Sequence, residues 1–253
     1  MHVQIPVLAL LSAVAHGATL RPRAATTVLP TNSFGSFDTY WNYLYPGGES
    51  DHNGGARMDK EHVSFQGDNT VVMTSEPVEG EPPSYFGGRT IPINYRSGTI
   101  HSKNQFTVQK GGGYDFHAEF LFKQPWAGCW PAFWVTGAKS WPPEIDMAEW
   151  MGDGKILFNT YNTSSQLTSK ALLYENAEEW HSVKTEVRDE NGVDVRVNFI
   201  YDGTPIATQF GKGFVGQPLN LIVNYQMEQG GKVGPDYTTA YTVRNIEVLD
   251  YNP

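Results

Sequence analysis

Several common structural devices are absent from this chain. It has one cysteine in 253 residues, so an internal disulfide cannot form. Its 18 lysines and arginines are outnumbered by 27 acidic residues, giving a formal charge of −9 without a basic cluster, and this argues against nucleic acid as a partner. No apolar segment is long enough to cross a bilayer, so we expect no membrane partner. No segment keeps a sustained helical period.

The N-terminus is the one markedly apolar region. Residues 3–15 are almost entirely apolar and end at the small-residue site Ala15-His16-Gly17, a pattern typical of a secretory signal peptide. We therefore predict a signal peptide over residues 1–17 and a secreted, extracellular protein. Residues 18–32 are interpreted as a short pro-segment or a flexible N-terminus, and residues 33–253 as a single catalytic domain.

What the chain has in quantity is β-strand pattern. Apolar and polar residues alternate over residues 114–122, 193–201 and 219–225, between turn signals supplied by 26 glycines and 16 prolines. With 13 Phe, 13 Tyr and 7 Trp, a large core is available, and the pattern predicts an all-β sandwich or jelly roll. Cys129 lies inside an apolar strand and is expected to be a buried, inert thiol. The aromatic run 40–45 and the glycine-rich segment 47–55 could form a cleft wall or a core strand.

Three carboxylates lie close together in Glu144-Ile145-Asp146-Met147-Ala148-Glu149. In a regular strand Glu149 would point away from the first two, but one extra residue at Met147-Ala148, a β-bulge, would bring all three to one face. Such a set suits hydrolysis of a glycosidic bond, which needs a nucleophile and a protonated acid. A solvated strand face would also explain the three acids. Trp130 and Trp134, on one face of the preceding strand, favour a carbohydrate cleft.

The segment Trp130-Pro131-Ala132-Phe133-Trp134 followed by this acidic motif resembles the laminarinase-type, bulge-containing branch of glycoside hydrolase family 16. The resemblance implies a β-jelly roll of two curved antiparallel sheets with a concave substrate cleft. It also implies a retaining mechanism in which Glu144 is the nucleophile, Glu149 the general acid/base, and Asp146 an assisting residue between them. Charge repulsion from Asp146 would raise the pKa of Glu149 and keep it protonated.

The partner that this implies is a polysaccharide, bound by a monomer that uses no cofactor and no metal in the reaction. Tryptophans of the motif would stack on sugar rings, and polar residues of a neighbouring strand would contact hydroxyls. The predicted substrate-binding residues are Trp130, Trp134, Trp150, Asn162, Asn224, Gln226 and Glu228.

Three departures from the family pattern matter. Many members carry a histidine on the strand after the motif, whereas residues 159–162 contain none, so Asn162 or Tyr161 is expected to replace it. A tryptophan often follows the pair that matches Gly230-Gly231, and here none does. The aspartate that commonly binds a structural calcium near the C-terminus aligns with Asn245, which predicts a weakened or absent calcium site.

The laminarinase-type motifs favour β-1,3-glucan as the substrate, cleaved in the endo mode. A β-1,3-galactan backbone is ranked close behind, because Gln226, Glu228 and Gln229 could bind the axial 4-hydroxyl of galactose. A cell-wall transglycosylase or a non-catalytic carbohydrate-binding jelly roll could also be built on this fold. We expect Glu144→Gln and Glu149→Gln to abolish turnover without disturbing the fold, as for exposed carboxylates. Asn162-Thr163-Ser164 is the only N-glycosylation sequon.

Overall fold

The computed structural model describes residues 24–229 and 234–253. The predicted signal peptide and the Gly230-Gly231 pair lie outside the described residues. Short strands make up most of the described chain, and the helical segments are single turns: α1 (Phe37–Tyr40) and three 3₁₀ turns, Ser33–Ser36, Pro46–Gly48 and Lys60–His62. The strands are β1 (Thr26–Leu29), β2 (Trp41–Tyr43), β3 (Ala56–Met58), β4 (Val63–Phe65), β5 (Thr70–Pro77), β6 (Ser84–Phe86), β7 (Arg89–Ile91), β8 (Tyr95–Ser97), β9 (Thr99–Thr107), β10 (Gly113–Leu121), β11 (Cys129–Gly137), β12 (Glu144–Glu149), β13 (Lys155–Thr163), β14 (Gln166–Leu173), β15 (His181–Asp189), β16 (Val195–Tyr201), β17 (Thr204–Gly211), β18 (Pro218–Met227) and β19 (Thr239–Asp250).

Two large sheets contain most of these strands. The first, which we call the cleft sheet, has the order β14-β13-β12-β11-β18-β9-β2. The second, the back sheet, has the order β17-β16-β15-β10-β19-β5-β8-β3, with β1 paired to β19 and β4 to β5. All these pairs are antiparallel except β3 with β8. The predicted all-β sandwich of two antiparallel sheets is confirmed. A separate ribbon is formed by β6 and β7 alone.

Aromatic rings fill the space between the sheets. Phe122 lies at the centre of this core, with ring centroids 5.5 Å from Trp150, 5.6 Å from Tyr225 and 5.9 Å from Tyr241. Along the second half of β10 the predicted alternation is observed: Phe116, Ala118 and Phe120 are fully buried, while His117, Glu119 and Leu121 between and after them are partly exposed. The strands of the two sheets therefore bury their shared face by the period of two that the sequence displays.

Strand β1, residues 26–29, belongs to the domain, so the domain begins before the predicted boundary at residue 33. Strand β1 pairs with β19, and the side chain of Leu29 is fully buried. The backbone hydrogen bonds of an added strand and a buried leucine hold residues 26–29 in the back sheet, so they are not a flexible N-terminus. Among the residues that the structure describes, no helix is long and apolar enough to cross a membrane.

Candidate active site

A cleft of about 980 Å³ runs over the outer face of the cleft sheet. Side chains of β11, β12, β13 and β18 line it from below, and residues of the β2–β3 connection and of the β6–β7 ribbon line one side. The cleft contains all three carboxylates of the acidic motif, Glu144, Asp146 and Glu149. A solvated strand face would expose them, but Asp146 is buried. The geometry is that of a ligand cavity.

A β-bulge in β12 brings the three carboxylates together. Across the β11–β12 pair, Ala148 lies opposite Phe133 and Asp146 opposite Trp134, which leaves Met147 without a partner. The same irregularity appears against β13, between Asp146 and Glu149. The extra residue restores the phase of the alternation. The bulge expected from the sequence is present, at the expected place.

Each carboxylate accepts hydrogen bonds from neutral donors. Trp141 Nε1 donates to Glu144 Oε2 over 2.9 Å, and Trp130 Nε1 donates to Glu149 Oε1 over 2.7 Å. The amide Nδ2 of Asn159 donates to Asp146 Oδ2 at 3.1 Å and to Glu149 Oε2 at 2.8 Å. Asn159 therefore fixes the position of the middle and last carboxyl groups relative to each other.

The surroundings disfavour charge on all three acids. Burial raises the pKa of Glu144 to about 7, and the Trp141 hydrogen bond opposes this rise. The pKa of Asp146 lies well above its ordinary value because of burial and then the neighbouring charges of Glu149 and Glu144. Burial also raises the pKa of Glu149. Removal from water, more than the charge of Asp146, is thus what favours a protonated Glu149.

The tryptophans contribute unequally to the cleft surface. Trp130 and Trp134 both line it, but Trp134 is only 7% exposed and its indole Nε1 donates to Asn224 Oδ1 at 2.6 Å. Little of its ring face is free for a sugar. Trp141, by contrast, is 49% exposed and lines the same cleft. It stands three residues before Glu144, and that proximity is the one sequence signal for it.

Asn224 and Gln226 lie in the cleft, as expected for alternate residues of β18. Gln226 is occupied by the protein itself: its Oε1 accepts from Ala56 N at 2.8 Å, and its Nε2 donates to Tyr45 Oη at 3.4 Å. Gln226 therefore ties the β2–β3 connection to β18. This arrangement leaves it little capacity to bind a sugar hydroxyl.

Three predicted binding residues do not reach the cleft. Trp150 is fully buried, with its ring centroid 4.9 Å from that of Phe120, because it follows Glu149 and so faces the core. Asn162 is not among the residues that line the cleft, although its neighbour Tyr161 is. Glu228 lies beyond the end of β18, where the alternation stops, and does not line the cleft.

The asparagine that meets the carboxylates is Asn159, not Asn162. Asn159 is paired with Asp146 across β12 and β13, so their side chains share a face. Only this register, which the sequence does not reveal, identifies it. Gln229 is likewise occupied, because its Nε2 donates to the backbone carbonyl of Asn53 at 3.3 Å. Of Gln226, Glu228 and Gln229, which we expected to bind an axial hydroxyl, only Gln226 lines the cleft.

Residues 40–55 supply a wall of the cleft and also a core residue, as the two interpretations of this region predict for different side chains. Trp41 is buried in the core. Tyr45 and His52 line the cleft, with ring centroids 4.9 Å apart. Burial lowers the pKa of His52 to about 4, which keeps its imidazole neutral. Tyr85 and Phe86 of the ribbon, which the sequence pattern does not single out, continue this wall.

Two further expectations concern groups outside the cleft. Cys129 is buried, and burial raises the pKa of its thiol to about 11, as an inert thiol requires. Asn245 uses its side chain within the protein: Oδ1 accepts from Asn69 and Nδ2 donates to Glu119, both at 2.9 Å. Within residues 24–229 and 234–253, no three His, Cys, Asp or Glu side chains are grouped to hold a metal ion.

Comparison with known proteins identifies relatives along nearly the whole chain. The model of the family "Glycosyl hydrolases family 16" matches residues 51–212. A galactan endo-beta-1,3-galactanase from Flammulina velutipes is 42% identical over 228 residues, covering 88% of this chain and 90% of that protein. The endo-1,3-beta-glucanase of Streptomyces sioyaensis superposes with a TM-score of 0.64 at 20% identity, over 96% of this chain and 100% of that one. The laminarinase catalytic domain of Thermotoga maritima superposes with a TM-score of 0.61 at 15% identity, over 85% of this chain and 92% of that one.

Proposed function

The chain belongs to glycosyl hydrolases family 16, and we propose that within this family it is a retaining endo-β-1,3-galactanase. The observation that carries the choice of backbone is the relative from Flammulina velutipes, 42% identical over 88% of this chain. The endo-1,3-beta-glucanase and the laminarinase domain that superpose are 20% and 15% identical to it, respectively. At that sequence identity they support the fold and do not indicate which sugar is cleaved.

The proposed reaction is a double displacement. The carboxylate of Glu144 attacks the anomeric carbon while the carboxylic acid of Glu149 protonates the oxygen of the bond that breaks. Glu149, now ionised, then takes a proton from water, which attacks the same carbon and releases Glu144. Asn159 supports these roles because its amide donates to Asp146 and Glu149, holding the acid toward the cleft between steps.

Substrate choice is tested by incubating the purified protein with debranched β-1,3-galactan and with laminarin, then sizing the released oligosaccharides. We expect a ladder of galacto-oligosaccharides that appears early in the reaction, as endo cleavage requires. Rapid cleavage of laminarin together with an intact galactan would overturn the galactanase assignment and favour β-1,3-glucan, which the laminarinase-type motifs support. Cleavage of neither would overturn both.

Hydrolysis and transfer share the glycosyl-enzyme intermediate, so the same residues serve a transglycosylase. We propose hydrolysis as the main reaction. Product analysis in an excess of acceptor oligosaccharide separates the two outcomes: free reducing ends should rise with each cleavage, whereas transfer would lengthen some chains and leave the number of reducing ends unchanged.

We also propose that the protein is secreted as a monomer and that the reaction needs no cofactor. The apolar segment before Ala15-His16-Gly17 supports secretion. An N-terminus beginning after Gly17 in protein from the culture medium would agree with it. Light scattering should give a mass slightly below 28.2 kDa, the mass of the whole chain. Dialysis against EDTA should leave activity and melting temperature unchanged, and a loss of either would point to a bound calcium.

A further inference from the structure

The β6–β7 ribbon presents aromatic side chains to the cleft. Tyr85 is 73% exposed and Phe86 38% exposed, and both line the cavity. The ribbon turns at Gly87-Gly88, with φ of 57° and 79°, the left-handed backbone that tight hairpins need. Exposed aromatic rings inside a cleft are unfavourable in water unless a ligand covers them, so they indicate a binding surface.

A two-stranded ribbon on its own is marginally stable, and this one is anchored at its base by ion pairs. Arg57 binds Asp51 and Glu81, each at 2.9 Å, and donates to the carbonyl of Pro82 at 3.1 Å. Arg96 binds Glu81 at 2.8 Å from its other side. At this same end of the ribbon, Ile91 pairs with Ser84 and is buried. These contacts hold the aromatic tip in a fixed place.

His52 joins the ribbon to the floor of the cleft. Its ring centroid lies 5.0 Å from that of Phe86 and 5.8 Å from that of Trp134. Trp134 is paired with Asp146 across β11 and β12. A row of rings thus leads from beside the carboxylates to the ribbon. A sugar at the cleavage point therefore cannot reach Tyr85, but another sugar of the same chain can.

The row also contains a polar group. No hydrogen bond to the ring nitrogens of His52 comes from any residue in 24–229 or 234–253. Because the imidazole is neutral, it offers one donor and one acceptor. Apolar ring faces with one oriented polar group match a pyranose, which has an apolar face of C–H groups and a rim of hydroxyls.

We propose that Tyr85, Phe86 and His52 form a sugar-binding subsite, separate from the carboxylates, which holds one uncharged pyranose ring of the polysaccharide chain. The proposal rests on the glycanase function and extends it. Long substrates fill this subsite and gain binding energy there, whereas the shortest oligosaccharides that are cleaved do not reach it. The enzyme should therefore prefer long polysaccharide chains as substrates.

The test compares Tyr85→Ala with wild type on β-1,3-galacto-oligosaccharides of increasing length. We expect kcat/KM to fall about tenfold on the longest substrates, because most of a tyrosine ring's contact is lost, and to stay unchanged on the shortest. Tyr85→Phe should keep the wild-type profile, since the ring supplies the contact. Phe210→Ala is the matched control: this ring is 47% exposed but lies on β17 of the back sheet.

Binding gives a second measurement that does not depend on turnover. In the Glu144→Gln background, adding Tyr85→Ala should weaken the affinity for the longest oligosaccharide about tenfold. A loss that is equal at every length, or absent in both assays, would overturn the subsite. If wild type cleaves laminarin and not galactan, the same series with laminari-oligosaccharides tests the subsite, so its failure and the failure of the galactanase assignment remain distinguishable.

Discussion

The two indole hydrogen bonds to the working carboxylates lead to separate predictions, one for each limb of the pH profile. Trp141 donates to Glu144, which must be ionised to attack, and Trp130 donates to Glu149, which must be protonated to act as an acid. Each bond stabilises the ionised form and lowers the pKa of its acceptor. Loss of the Trp141 bond therefore raises the pKa of Glu144, and loss of the Trp130 bond raises the pKa of Glu149.

The size of each pKa shift depends on how exposed the donor tryptophan is. A hydrogen bond to a charged group contributes about 1.5–3 kcal/mol, and about 1.4 kcal/mol is one pKa unit. Trp141 is 49% exposed, so water replaces part of its effect, and we expect Trp141→Phe to raise the pKa of Glu144 by roughly 0.5–1 unit. Trp130 is less exposed and its bond is shorter, 2.7 Å, so Trp130→Phe should raise the pKa of Glu149 by more than Trp141→Phe raises that of Glu144.

The assay is kcat/KM against pH on one soluble oligosaccharide. In Trp141→Phe the acid limb moves to higher pH, since Glu144 loses its charge earlier as pH falls. In Trp130→Phe the alkaline limb moves to higher pH, since Glu149 keeps its proton longer. A change in sugar contact would lower the whole curve without moving either limb. The reasoning fails if both limbs stay in place, or if the two variants move the same limb.

Three further outcomes are expected. Glu144→Ala and Glu149→Ala should each lower kcat by about 10³-fold, and azide should rescue them with products of opposite anomeric configuration; equal configurations would contradict the assigned roles. Because burial raises the pKa of Glu144 to about 7, the free energy of unfolding of wild type should fall as pH rises through that value. In urea unfolding, Glu144→Gln should therefore be more stable than wild type by about 1–3 kcal/mol at pH 8 and equally stable at pH 4. The same stability difference at both pH values would refute the burial argument. Asn159→Ala should lower kcat at least about tenfold, while Asn162→Gln, on the same strand but outside the cleft lining, should change kcat less than about twofold, whether or not Asn162 carries a glycan. The reverse order would contradict the register.

The features that the sequence predicts well are those set by local alternation. The period of two over residues 114–122 and the five-residue spacing from Glu144 to Glu149 are enough to predict the sheets and the bulge. The same rule, carried one residue further, places Trp150 in the core, because Glu149 already faces the cleft. The burial of Trp150 was therefore predictable from the sequence, and its assignment to the cleft contradicts the alternation that places Glu149 there.

Features set by pairing between distant segments could not be predicted. Asn159 meets Asp146 because of the register between β12 and β13, and a shift by one residue would have turned Asn159 away from Asp146. Tyr85 reaches the cleft because ion pairs hold its ribbon, and a short apolar pair among glycines and prolines gives no sign of this. The burial of the carboxylates is also invisible locally, since cleft walls from distant parts of the chain remove them from water.

The donors around the three carboxylates are all uncharged, and this explains how the site can hold a proton. In the part of the chain that the structure describes, no lysine, arginine or histidine forms an ion pair with Glu144, Asp146 or Glu149. A cation within hydrogen-bonding distance would stabilise the ionised forms strongly and lower the pKa values that burial raises. Indole and amide donors orient the same oxygens with a weaker effect on charge. The amide of Asn159 therefore keeps the position of the acid fixed without removing its proton.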